Sequence, residues 1–122
     1  MIKDVRRFDV VDPFDRTWNV IFLWHQNGIS IRHADTVDVK FQIHSGDEHL
    51  EKVIALKHPD LLKLSQATGH PLTDPWCMKL AALHLKRMIE TWEDMEKTLV
   101  TLSYRDLEEH NAELQQPATV EK

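Results

Sequence analysis

The feature that most constrains the fold is the stretch from Pro75 to Leu102, which contains no glycine and no proline after its first residue. Asp74-Pro75 is typical of a helix start, because aspartate caps the first turn and proline loses no hydrogen bond at the first helical position. Apolar residues then recur at steps of three or four, namely Cys77, Ala81, Leu85, Met88, Trp92, Met95, Leu99 and Leu102. This periodicity predicts a single helix of 28 residues.

A helix of this length would be longer than the domain that carries it. It would measure about 42 Å at a rise of ~1.5 Å per residue, whereas a compact chain of this size has a diameter of roughly 35 Å. Its apolar positions continue to the end, and soluble monomers rarely leave such a patch exposed. We therefore expect a homodimer in which the long C-terminal helix meets its copy across a two-fold axis. The predicted self-interface consists of Leu85, Met88, Trp92, Met95 and Leu99.

The segment after this stretch offers an intramolecular alternative. Ser103 and Asp106 are spaced as in a capping box, which predicts that a further helix begins at Tyr104. That helix could fold back over the same apolar surface with Tyr104, Leu107 and Leu114. One continuous helix through this region is the other interpretation of the pattern, and the sequence leaves both open.

The first half of the chain is typical of strands. Residues 17–25 are rich in β-branched and aromatic side chains, and Asn27-Gly28, which follows, suits a two-residue hairpin turn. Such a turn would place Phe22 opposite His33 and direct both Phe22 and Trp24 toward the core. A shorter edge strand is predicted around Phe8–Val11.

The next two strands alternate more clearly. In Val37–His44 the odd positions are apolar and the even positions polar, so one face is buried and the other wet. The turn Ser45–Glu48 would pair Ile43 with Leu50. In this register Lys52 points toward the core, and it is the one charged residue among the otherwise apolar inward positions of its strand.

These patterns predict an α+β fold, since strands precede helices and the change falls near His58-Pro59. We expect an antiparallel meander of four or five strands, packed against the long C-terminal helix and one or two short helices. A short helix over residues 59–68 would begin at proline and end at Gly69. Residues 1–116 would form a single domain, and residues 117–122 a disordered tail.

Two alternatives to self-association concern ligands. Trp18, Trp24 and His33 could line a small-molecule cleft between sheet and helix, although aromatic stripes of this kind are more often core.

A metal site is the second alternative, because the chain contains 8 histidines. The hairpin register places His44 and His49 side by side, with Glu51 diagonal to His44, and two imidazoles with a carboxylate can bind zinc. Two solvent-exposed histidines near a turn are the simpler interpretation. The sequence therefore predicts no cofactor.

Cys77 is the weak candidate for a catalytic nucleophile. It lies in the first turn of the long helix, where the helix dipole can lower a thiol pKa, and His70 and His84 are near enough in sequence to act as a base. It is also the first of the periodic apolar residues of this helix, which favours packing in the core. No other catalytic pattern stands out, so an enzyme is not favoured.

Composition excludes several classes of function. With 20 acidic residues against 15 lysines and arginines the net charge is −5, which argues against a nucleic-acid partner. Three well-separated glycines cannot form a phosphate-binding loop. The longest apolar run is Val20–Trp24, too short for a membrane helix. The charged N-terminus and the single cysteine lead us to expect a cytoplasmic protein.

Overall fold

A computed structural model of the chain describes residues 4–29 and 35–115. The strands in these residues are β1 (Arg7–Val11), β2 (Thr17–Ile29), β3 (Asp35–Ser45), β4 (Glu48–Lys57) and β5 (Leu99–Thr101). The helices are α1 (His58–Thr68), α2 (Asp74–Thr91) and α3 (Tyr104–Leu114). The strands lie side by side in chain order, antiparallel except for β4 and β5, which are parallel. The α+β prediction is confirmed, with a mixed, mostly antiparallel sheet.

One face of the sheet carries the core. The apolar side chains of β3 point toward α1 and α2 and are almost completely buried, as their alternation predicts; they are Val37, Val39, Phe41 and Ile43. The predicted register of β3 and β4 is confirmed, because Ile43 pairs with Leu50 and Val39 with Ile54. We call the face opposite the helices the outer face.

The predicted turn at Asn27-Gly28 is wrong. β2 continues through this dipeptide to Ile29, with Asn27 opposite Val37 and Gly28 opposite Thr36. A strand that continues along the long β3 satisfies more backbone donors and acceptors than one that turns at residue 27. The true connection, and with it His33, lies outside the described residues, as does the predicted tail 117–122.

A β-bulge at Leu23 reverses the direction of the Trp24 side chain. Phe22 pairs with Phe41, but Trp24 pairs with the next residue, Lys40, so that Leu23 is the extra residue. Trp24 therefore lies on the outer face with Lys40 rather than in the core, contrary to the sequence prediction.

The prediction of a long C-terminal helix is also wrong. The longest helix, α2, lies in the middle of the chain and ends at Thr91 after 18 residues. Trp92 follows in the left-handed conformation, with φ 63°, and the chain turns back to the sheet as β5. Leu99 and Leu102, which the periodicity places on the helix, thus belong to β5 and to the segment after it.

The aromatic packing of Trp92 explains where α2 ends. Its indole contacts Trp18 (ring centroids 5.9 Å) and the edge of Phe14 (5.7 Å), and the guanidinium of Arg16 lies 5.1 Å from its centroid. Below them, Asp12 accepts hydrogen bonds from the Trp18 indole, the Arg16 guanidinium and the backbone of Phe14 and Arg16. Burial raises the pKa of Asp12, but these bonds outweigh it and lower the pKa to about 2. We call these five residues the Trp92 cluster.

Lys52 fixes the connection between α2 and β5. It points inward, as the sequence predicts, and is 3% exposed. Its ammonium donates hydrogen bonds to the carbonyl oxygens of Met95 and Lys97, both at 2.6 Å. Burial lowers the pKa of Lys52, and Glu96 partly offsets this effect.

The predicted capping box is confirmed, so a separate helix α3 begins at Tyr104. The Ser103 hydroxyl accepts the Asp106 N–H, and the Asp106 carboxylate accepts the Ser103 N–H. α3 packs against α1 and α2, with Leu107 fully buried. The helix cap of α2 differs slightly from prediction, since Thr73 caps it and Asp74 is its first residue. Part of the apolar surface of α2 is thus covered by the same chain.

Candidate functional site

The outer face carries a row of four side chains that crosses four strands. Trp24 pairs with Lys40, Lys40 with Val53, and Val53 with Leu99. Trp24 is 38% exposed and Leu99 is 56% exposed, although both are large and apolar. At ~4.8 Å between strands, the row is about 14 Å long. We call these four residues the outer row.

The charges in this row are balanced within the chain. The Lys40 ammonium lies 5.6 Å from the Trp24 ring centroid and forms an ion pair of 3.0 Å with Glu51. Ile21 and Val53, both partly exposed, extend the apolar surface on either side of this pair. The outer face therefore combines this short apolar row and its ion pair with the other even-numbered positions of β3, which are polar and lie on either side of the row.

The residues of the predicted self-interface are distributed differently from the prediction. Leu85 is fully buried, and Met88 (2% exposed) and Met95 (7%) are nearly so, all within the core of the chain itself. Trp92 is partly buried in the Trp92 cluster, and Leu99 alone of the five projects freely from the outer face. The three buried residues have no surface to offer a second chain unless the fold opens.

The two tryptophans proposed for a ligand cleft lie on opposite faces of the sheet. Trp18 is fully buried on the inner face, where its indole donates to Asp12, and Trp24 is on the outer face. They cannot line one cleft between sheet and helix. The third residue of this hypothesis, His33, lies outside the described residues.

The proposed metal ligands are only partly brought together. His44 and His49 pair across the hairpin with stacked rings, 5.4 Å between centroids. Glu51 forms its ion pair with Lys40 instead. Within residues 4–29 and 35–115, no group of three side chains is arranged to hold a metal ion.

Cys77 lies where a reactive thiolate is not favoured. The side chain is 3% exposed, and burial, reinforced by Asp74, raises its thiol pKa to about 11. Neither candidate base forms a hydrogen bond with the thiol: His70 stacks on Trp76, and His84 bonds to His110. The arrangement is that of a small residue in the core.

Sequence reasoning missed a buried pair of histidines. His84 on α2 and His110 on α3 are joined by a hydrogen bond of 3.0 Å between Nδ1 and Nε2. Burial lowers the pKa of both, that of His110 to about 4. Arg87 and Asp106 lie beside the pair and bond to each other at 2.7 Å. No spacing in the sequence could reveal this pair, because it depends on how α3 crosses α2.

The histidine pair predicts acid sensitivity. Its folded pKa values lie below that of an unfolded histidine, so the unfolded chain binds more protons and stability falls as the pH drops below about 6.5. Between pH 7 and pH 5 we expect His110 alone to account for a loss on the order of 1 kcal/mol, after allowance for solvent screening. Urea unfolding of the wild type and His110→Asn at both pH values measures it. Between pH 7 and pH 5, His110→Asn should lose less unfolding free energy than the wild type, and His44→Asn should lose as much as the wild type. Equal losses in all three proteins would refute the prediction.

Comparisons with protein-family models, curated proteins and solved structures give no match to this chain. Among the described residues, no helix is long and apolar enough to cross a membrane. The absence of a nucleic-acid partner and the cytoplasmic location remain predictions.

Proposed function

We propose that this protein is an assembly module whose outer face binds the outer face of a second copy. The observation that carries the proposal is the outer row, which leaves Trp24 and Leu99 exposed at its two ends. The proposal keeps the predicted self-association, but it places the interface on the sheet instead of on the long helix. Leu99 is the residue that both versions share.

The charge of the surface favours a second copy as the partner. The Lys40–Glu51 ion pair makes the centre of the row neutral, so neither a strongly basic nor a strongly acidic partner is preferred. A two-fold pairing places the same ion pair of the second copy opposite this one. The Lys40 ammonium of each copy can then also approach the Glu51 carboxylate of the other copy. Two-fold symmetry is the commonest arrangement of homo-oligomers.

The row suggests a specific orientation. With the two-fold axis parallel to the strands and between β3 and β4, the order of the row is reversed in the second copy. Trp24 of one chain then packs on Leu99 of the other, and this contact occurs twice. Tryptophan at such a position supplies a large apolar contact of the kind that dominates many interfaces.

The first test is solution mass across a dilution series, measured by light scattering or sedimentation. We expect the wild type to approach twice the 14.3 kDa chain mass at high concentration. Trp24→Glu and Leu99→Lys should each remain at 14.3 kDa, because each places a charge in the apolar contact. Leu62→Glu is the matched control, since Leu62 is 41% exposed on α1, and it should behave as the wild type. If the wild type is a monomer at high micromolar concentration, the proposal is refuted.

Mixing the two variants tests the orientation. In a mixed pair, the carboxylate of Trp24→Glu faces the ammonium of Leu99→Lys, and the other contact keeps its native Trp24 and Leu99. We therefore expect an equimolar mixture to dimerise although each variant alone does not. If the mixture stays monomeric while the wild type dimerises, the axis does not lie along the strands.

A further inference from the structure

A second surface, on the helix side of the molecule, has the size and lining of a ligand site. It is a cleft of about 430 Å³ between the segment before β1, the connection from α1 to α2, the first half of α2 and the end of α3. Ligand pockets commonly range from ~300 to ~1,000 Å³. This cleft does not overlap the outer face, so it is independent of the proposed function.

One wall of the cleft is aromatic and rigidly held. The His70 imidazole stacks on the Trp76 indole, with centroids 4.8 Å apart and planes at 19°. The Trp76 indole donates to the Asn111 side chain at 2.9 Å, and His70 Nδ1 bonds to the Pro71 carbonyl at 2.8 Å. Both rings are therefore oriented before any ligand arrives, which reduces the entropy lost on binding.

The rest of the lining combines apolar side chains with two cations. Val5 and Leu83 are apolar, and Arg6 and Lys79 each carry a positive charge. Asp4 also lines the cleft, but its carboxylate already accepts the Arg6 backbone N–H at 2.9 Å. The chain has a net charge of −5, but the charged side chains that line this cleft, two cations and one acid, sum to +1.

We propose that this cleft binds a small amphipathic anion, a carboxylate with a short hydrocarbon or aromatic body. The carboxylate would pair with Lys79 and Arg6. The apolar body would lie against the partly exposed Val5 and Leu114, next to the nearly buried Trp76 (2% exposed). The volume limits the ligand to a small molecule. A polyanion such as a nucleic acid remains disfavoured by the charge of the chain as a whole.

The test uses octanoate as the probe and octanol as its uncharged match. We expect octanoate to bind the full-length protein, by calorimetry and by shifts of the Trp76 and His70 NMR signals, and octanol to bind about tenfold more weakly. Lys79→Gln should weaken the binding of octanoate about tenfold and leave the binding of octanol unchanged. Lys57→Gln, which alters an exposed lysine at the end of β4, should bind octanoate as the wild type does.

Three results would overturn the proposal. These are equal affinity for octanoate and octanol, an unchanged octanoate affinity in Lys79→Gln, and signal shifts that map to the outer face instead of the cleft. Trp24→Glu should bind octanoate normally whether or not the protein dimerises. The failure of one proposal can thus be told apart from the failure of the other.

Discussion

Lys52→Met is expected to lower the free energy of unfolding by about 2–4 kcal/mol, because it leaves two carbonyl oxygens without their charged donor. These are the oxygens of Met95 and Lys97, each 2.6 Å from the Lys52 ammonium. Methionine keeps most of the side-chain volume, so the loss reports the hydrogen bonds rather than a cavity. Urea unfolding followed by circular dichroism measures it.

The same variant should loosen one segment more than the others. Hydrogen exchange should accelerate most in residues 92–98, the connection that Lys52 holds against the sheet. Lys57→Met provides the matched control, since Lys57 lies exposed on the same strand and should unfold within about 0.5 kcal/mol of the wild type. If Lys52→Met is as stable as Lys57→Met, water replaces the ammonium and the lysine does not fix this connection.

The β3–β4 hairpin could be predicted because its information is local. Polar and apolar residues alternate strictly in β3, and Ser45–Glu48 contains residues that favour a turn, so the register follows from a few neighbouring residues. The inward position of Lys52 followed from the same register, although its partners did not. They lie more than 40 residues further along the chain, and no local pattern connects them.

The β2 strand was harder to predict because one local signal competes with long-range pairing and because a bulge interrupts the strand. Asn27-Gly28 favours a turn, yet the dipeptide continues the pairing with β3. The bulge at Leu23 then moves Trp24 to the outer face, and a single extra residue in a strand leaves no mark in the composition. The surface that we propose as the interface thus depends on a feature that the sequence alone does not reveal.

The end of α2 was missed for a related reason. Helices commonly end at a glycine in the left-handed conformation, as α1 does at Gly69 with φ 74°. At the end of α2 that position is held by Trp92, a residue that rarely adopts positive φ. The indole is held there by packing against β2 and the β1–β2 turn, so tertiary contacts override local preference.

This explanation of Trp92 predicts an unusual order of stability for two variants. Trp92→Ala should lower the free energy of unfolding by about 3 kcal/mol, because it removes the contacts with Trp18, Phe14 and Arg16. Trp92→Gly removes the same contacts but relieves the strain of a side chain at positive φ. We therefore expect the glycine variant to be more stable than the alanine variant by about 0.5–1 kcal/mol.

Glu90 supplies the comparison, because it is exposed in the last turn of α2 where φ is helical. There the usual order should hold, and Glu90→Gly should be less stable than Glu90→Ala by about 1 kcal/mol. Urea unfolding of the four variants at one pH tests both pairs. If Trp92→Gly unfolds at a lower urea concentration than Trp92→Ala, the left-handed backbone at residue 92 does not determine the difference. The end of α2 at Thr91 would then have another cause.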